Sequence, residues 1–494
     1  MTFNSISFLF FFPAVVLCYY LLPHRYRWIW LLVSSYYFYM SWNPKYVLLI
    51  AFSTAVTWAG GQMIEARRGS LRTVRLILAV CILANLAILG FFKYFNFFSQ
   101  NVNALMAAMH LQIRTPSVDV LLPVGISFYT FQALGYLIDV YRGDISPEPN
   151  LARYALFVSF FPQLVAGPIE RSGNLLGQLR ERHSFEPGQV MRGLLTMAWG
   201  FFKKLVIADR AAILVTAVFD QYTDYTGAQI ALAVVLFAFQ IYCDFSGYSD
   251  IAVGAAQVMG FSLMKNFDRP YFARSTAQFW RRWHISLTTW FRDYVYIPLG
   301  GNRRGTLKKH INILITFLLS GLWHGASWNF VVWGLLNGIW QVAGEMTSGI
   351  RRSVRKALHV REEGFFHHMV QTVTTFLLVD FAWLFFRASG LREALRMIRH
   401  GVTHFAPLSV FSTESGIGLN TMALDAPDFL VLLAALAVLL IGDLVSIKRD
   451  MIGMILRQKI AARFLIYYLI LLILLIFGIY GPAFDASSFI YFQF

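Results

Sequence analysis

The chain has 494 residues, of which 57% are hydrophobic, 17% aromatic and 14% charged, a balance that excludes a soluble globular protein of average composition and points to a polytopic membrane protein. Its net charge of +16 sits in short Lys and Arg groups between apolar runs, so the positive-inside rule accounts for most of it and nucleic acid is not an expected partner. Cys18, Cys81 and Cys243 lie in apolar runs without metal-ligand spacing, which leaves them as small buried hydrophobes and argues against disulfides or a zinc site.

In chain order, apolar runs of about 15 to 25 residues, the length a bilayer crossing needs, predict spans at 7–22, 27–41, 45–60, 73–95, 119–140, 193–219, 228–245, 311–327, 329–346, 369–387, 428–446 and 464–481. The first run lacks a preceding basic region and a following small-residue cleavage site, so it reads as a retained span. Arg67, Arg68, Arg72 and Arg75 place the third connection in the cytoplasm, and counting from it puts the N-terminus outside. The run 154–166 is too short to cross easily and holds Pro162. It reads as a re-entrant or interfacial segment whose backbone protein or a water-filled cavity must cover.

Residues 265–309 carry Lys265, Arg269, Arg274, Arg281, Arg282, Arg292, Arg303, Arg304, Lys308 and Lys309 against Asp268 and Asp293. That is a cytoplasmic segment, and its many aromatics keep it at the interface or dipping into the protein. Leu391, Leu395 and Ile398 oppose Arg392, Arg396 and Arg399, the pattern of an amphipathic surface helix. Counting places it outside, against the charge rule, so the side of 387–400 stays open. The last span ends outside and delivers 484–494 there. A single membrane domain fills 1–494, without an internal repeat.

Two histidines sit among these apolar runs, and an ionisable side chain at membrane depth is a functional-site hypothesis by default. His324 lies in S-G-L-W-H-G-A-S-W-N, where Gly321 and Gly325 let two helices approach closely. Desolvation there favours a neutral imidazole, which is what a general base needs; the bland alternative is a histidine bonded to a neighbouring helix. On a helix, His284 shares a face with Trp280 and Thr288. It then orients a substrate, polarises a carbonyl or assists the base, or is only an interfacial histidine near headgroups.

Arg281, Arg282, Arg292 and Lys308 have the chemistry to bind the phosphates of a nucleotide-type carrier, or merely to neutralise anionic membrane lipid. Asp244, Asp250 and Asp380 are expected to pair with these cations. No G-x-x-x-x-G-K-[ST], H-E-x-x-H or G-x-S-x-G motif occurs, and no metal site is expected.

W-R-R-W-H-I-S-L-T-T-W-F-R-D-Y-V-Y-I-P-L-G-G, followed by G-L-W-H-G-A-S-W-N-F-V-V-W-G-L-L-N-G, resembles the membrane-bound O-acyltransferase superfamily. Within it the match is to the bacterial branch that holds the membrane subunits of alginate and peptidoglycan O-acetyltransferases and the teichoic acid D-alanyl transfer protein. The opening F-N-S-I-S-F-L-F-F-F-P, the segment Y-C-D-F-S-G-Y-S-D-I-A-V-G and the ending F-I-Y-F-Q-F are similar too, so the resemblance covers essentially the whole chain.

That resemblance implies an all-α ring of about 11 to 12 transmembrane helices, each of bilayer length, with re-entrant and interfacial helices around a central tunnel and a catalytic core at 244–346. It makes His324 the essential histidine and His284 the second. The donor is a cytoplasmic thioester, acetyl-CoA or a carrier-protein thioester, with no permanently bound cofactor. The acyl group leaves outward, through Tyr491 of the C-terminal F-x-Y-x-x-F pattern, to an SGNH-type serine acetyltransferase partner and then a cell-surface polysaccharide such as alginate. The setting is a bacterial cytoplasmic membrane with both termini outside. Two other readings remain: a transporter or flippase of a polysaccharide or lipid-linked precursor, and a long-chain lipid or protein acyltransferase of the same fold.

Overall fold

The computed structural model describes residues 1–112, 114–118, 122–361, 363–413, 416–417 and 421–480. Their regular elements are helices, apart from one two-residue antiparallel pair, Ser412–Thr413 with Gly416–Ile417. Among the described residues, six helices are long and apolar enough to cross a membrane: Pro44–Ala66, Leu71–Ala108, Gly227–Val258, Phe365–Arg387, Ala426–Val445 and Ile460–Phe477. Most of the remaining expected spans are helical over their described residues, but shorter, as Ile6–Leu21, or more polar, as Thr306–His324 with its two lysines; the helix of the span predicted at 119–140 runs over Ile126–Arg142. Ile460–Phe477 buries none of its residues, and its apolar surface is open to lipid. The molecule is a multi-pass membrane protein.

The chain forms two compact units. The first comprises Met1–Leu194 and Ile251–Met264. Its helix Leu71–Leu89 runs on through a π-helical turn, Gly90–Tyr94, into Phe95–Ala108. It overruns the predicted end of that span because no proline interrupts the run before Pro116. The short run 154–166 folds as two helices, Leu151–Ser159 and Phe161–Leu164, broken at Phe160. Every residue from Tyr154 to Glu170 is buried. The break frees the Phe157 carbonyl, which accepts Gln132 Nε2 at 2.6 Å and Gln163 Nε2 at 2.9 Å. Backbone that leaves the helical ladder is thus covered by protein, as the reading of that segment requires.

The second unit comprises Leu195–Asp250 and Lys265–Phe494. Its most intimate helix pair is Thr306–His324 with Trp328–Met346. A Cβ built on Gly321 would meet the Phe330 carbonyl oxygen at 2.3 Å, and one on Gly334 the Phe317 oxygen at 2.4 Å. The close approach expected at Gly321 is therefore real, and Gly334 is its counterpart. Leu391–Thr403 is a helix, but it buries Ala394 and Met397 while Leu395 is 54% exposed. Its docked face is thus displaced from the apolar stripe read in the sequence, because Ala394 can sit closer to its neighbours than a leucine can.

Candidate active site

Helix Thr306–His324 ends at His324, where Gly325 turns to an extended conformation (φ −163°, ψ 152°). The imidazole is buried among aromatic rings. Its centroid lies 4.9 Å from Trp323, 4.9 Å from Trp333 and 5.4 Å from Phe386. Behind it, Trp333 stacks on Trp383 at 5.7 Å. These large rings exclude water and keep the side chain in one place.

His284 comes to the same place, its ring centroid 6.5 Å from that of His324. It arrives by a different route from the predicted one. Helix Thr276–Trp280 stops after five residues, and His284 caps helix Ile285–Phe291 in the left-handed region (φ 43°, ψ 54°). The shared helical face of Trp280, His284 and Thr288 therefore does not exist. Tertiary pairing overrides the helical pattern: Asp268 N donates to the Arg282 carbonyl at 2.9 Å, and Ile285 N to the Asn266 carbonyl at 2.9 Å. Trp283 meanwhile buries against Phe279 and Trp383. Strain of this kind in a non-glycine residue persists only where its surroundings over-determine it.

Asn266 sets the protonation pattern of that histidine. Its Oδ1 accepts the Ser286 backbone N–H at 3.2 Å and the Ser286 hydroxyl at 2.9 Å, and its Nδ2 donates to Ser249 Oγ at 3.2 Å. A backbone N–H can only donate, so the amide orientation is fixed by the network. His284 Nδ1, 3.2 Å from the same Oδ1, must then carry a proton, and the lone pair belongs to Nε2. His284 lies outside the spanning helices, and burial pushes its imidazole down to about 3. It is neutral, with one nitrogen able to accept.

The basic residues are more dispersed. Arg281, Arg292 and Lys308 are exposed and Arg282 is half-buried. Arg282 reaches the Arg269 carbonyl at 3.5 Å, and Arg292 bonds to Asp293 at 2.7 Å. The expected pairing of these cations with Asp244 and Asp250 is corrected by two lysines the sequence reading passed over. Lys204 Nζ lies 2.7 Å from Asp244 and 2.8 Å from Asp209, while Lys203 Nζ lies 2.7 Å from Asp250 and 2.8 Å from Ser246 Oγ. Both lysines are buried and stand in a π-helical stretch, Phe202–Ala208. Two adjacent lysines inside the predicted span 193–219 were the available signal. Asp380 is buried, with no hydrogen-bond partner at Oδ1 among the described residues, and none of the four basic site residues reaches it.

Among the described residues no group of three His, Cys, Asp or Glu is placed to hold a metal ion. Tyr491 lies outside the described residues.

Two buried histidines from separate segments thus meet inside a multi-pass helical protein. The family model for the membrane-bound O-acyltransferase family (MBOAT) matches residues 76–364. The chain is 41% identical over 401 residues to the probable alginate O-acetylase AlgI of Pseudomonas aeruginosa, covering 80% of this chain and 74% of that one. It is 38% identical over 441 residues to the probable alginate O-acetylase AlgI of Azotobacter vinelandii, covering 89% and 84%. The peptidoglycan O-acetyltransferase of Helicobacter pylori is 34% identical over 431 residues, covering 81% and 77%. The chain belongs to the membrane-bound O-acyltransferase family, and it is an O-acyltransferase.

Proposed function

We propose that this protein moves acetyl groups from a thioester donor, acetyl-CoA or a carrier-protein thioester, for the O-acetylation of an exported cell-surface polysaccharide. The observation that carries the reading is the meeting of His284 and His324, 6.5 Å apart by ring centroid, inside an aromatic shell. The relatives named as alginate and peptidoglycan O-acetylating enzymes support the acyl group and the acceptor class.

A thioester is already activated, so the site needs a base for the attacking hydroxyl and no nucleophile of its own. His324 takes the hydroxyl proton as the oxygen attacks the thioester carbonyl carbon. The tetrahedral adduct collapses with cleavage of the C–S bond, and the proton passes to the departing thiolate. His284 assists by accepting through Nε2. A carbonyl-polarising role suits it poorly, because its one N–H is directed at Asn266. Arg281, Arg282, Arg292 and Lys308 steer the anionic donor, which enters from the cytoplasm.

In the same proposal the first acceptor is the Tyr491 phenol, and an SGNH-type serine enzyme outside the membrane carries the acetyl group onward. The test is polymer acetylation in cells that carry His324→Ala at normal protein level. Loss of acetylation by about two orders of magnitude or more is expected for removal of a general base, and full acetylation overturns the role of His324 as that base. Mass spectrometry of the C-terminal peptide tests the relay. No acetyl on Tyr491 under trapping conditions, with Tyr491→Phe still active, overturns that part alone.

A further inference from the structure

Away from the histidines, the first unit holds a cavity of about 300 Å³ at the turn between helices Ile6–Leu21 and His24–Met40. Its floor is apolar, with Tyr19, Leu31 and Phe261 all buried, and its rim carries Arg27, Arg153 and Arg180.

The rim is built, not incidental. Glu148 is 0% exposed, and its carboxylate takes Arg153 Nη1 at 3.3 Å on one oxygen and Arg180 on the other. The acid is itself anchored, its backbone carbonyl accepting Trp58 Nε1 at 2.7 Å and Gln62 Nε2 at 2.8 Å. One buried carboxylate thus holds two guanidiniums side by side and leaves a positive charge in excess. Arg27 donates to three backbone carbonyls, of Leu22 at 3.0 Å, Tyr20 at 3.1 Å and His183 at 2.6 Å. Those neutral acceptors fix its position without cancelling its charge. Arg25 adds a further cation at the exposed edge, where Glu181 is the carboxylate found among the described residues that line the cavity.

The cavity lies at the end of a lipid-facing helix. Helix Ile6–Leu21, which leads to the cavity, turns an apolar face outward, with Phe10 77% exposed, Leu17 62% and Leu21 74%, on the side away from Tyr19. Fixed guanidiniums at the end of a lipid-facing helix are placed at headgroup depth, and the guanidinium fork matches phosphate oxygens. We propose that this cavity binds the phosphate of an anionic phospholipid headgroup, with the Tyr19 and Phe261 floor receiving the glycerol end, as a site separate from acyl transfer.

The experiment is native mass spectrometry of the full-length protein in detergent, titrated in parallel with phosphatidylglycerol, phosphatidylcholine and inorganic phosphate. Retention of phosphatidylglycerol over phosphatidylcholine is expected, weakened about fivefold by Arg180→Gln and by about as much by Arg25→Gln, the loss typical of one interfacial cation. Arg25→Gln is the second variant because its side chain has no part in the Glu148 cluster, so it reads binding even where Arg180→Gln disturbs the fold. Equal retention of the two lipids, or retention that Arg25→Gln leaves unchanged, overturns the proposal. Displacement of the lipid by inorganic phosphate at the same concentration overturns the lipid source and assigns the site to a free phosphate ion.

Discussion

At the scale of the residue, the site turns on which nitrogen of His284 holds a proton. Asn266 decides this through an amide whose orientation the Ser286 backbone N–H fixes. Replacing it with an acid puts a negative charge beside the imidazole and favours imidazolium, by about two pKa units for a close unlike charge. The wild-type imidazole titrates at about 3, far below working pH, so its protonation leaves the neutral range untouched. Asn266→Asp is expected to bring that titration up and move the acidic limb of the pH–rate profile toward neutrality, while Asn266→Ala lowers kcat without moving the limb. A profile for Asn266→Asp that overlays the wild type rules out the contact. Nothing in the sequence marks Asn266. It sits 18 residues from its partner, and a short polar residue in a loop has no periodicity to read.

The same lowered titration has a consequence for stability. The folded imidazole titrates at about 3 against about 6.5 in the unfolded chain, so the unfolded state binds more protons between those values. Stability is fully present above about pH 6.5 and is lost as the pH falls toward 3. Melting temperatures in detergent should decline over that window, and less steeply in His284→Gln.

At the scale of the element, one helix crossing positions His324. Gly321 and Gly334 face each other with no room for a Cβ, and the helix ends one turn beyond Gly321 at the catalytic candidate. Gly321→Ala forces the helices apart or strains them, at about 1 to 3 kcal/mol for overpacking of this kind, and should carry off activity with it. Gly344, on the second of these helices, has nothing within 4 Å of a built Cβ. Gly344→Ala should therefore melt no lower than wild type, and equal losses for both variants argue against a local crossing effect.

The lysines of Phe202–Ala208 belong to this scale too. Lys204 stands between two buried carboxylates, so Lys204→Met leaves charge uncompensated and should cost about 3 to 5 kcal/mol. Adding Asp209→Asn and Asp244→Asn should return most of that, as read by thermal melting; no recovery means the lysine acts by packing alone. The close approach at Gly321 was legible, but its counterpart was not: Gly325, four residues on, lies past the helix end and meets the Phe330 ring, while Gly334 stands on the next helix. The ion pairs were not legible either, since Asp244 is chosen by Lys204 some forty residues away and not by the nearer arginines.

At the scale of the whole molecule, charge between apolar runs predicts which loops share a side. In a Cys18→Ala background, Gly69→Cys should react with an impermeant thiol reagent only after the membrane is opened, and Thr223→Cys without opening. Both positions are exposed. Labelling of the two under the same condition contradicts the charge reading.

Composition alone determined that this chain lives in a membrane, because long apolar runs bury their backbone only as helices there. The motifs around His284 and His324, similar to those of a known family, determined the kind of chemistry. Only the tertiary structure decided that the two histidines meet, that a broken backbone and not a helical face presents His284, and that buried lysines hold the span's carboxylates. Each of these depends on residues far apart in the chain, where hydropathy and spacing carry no information and desolvated partners must find one another by packing.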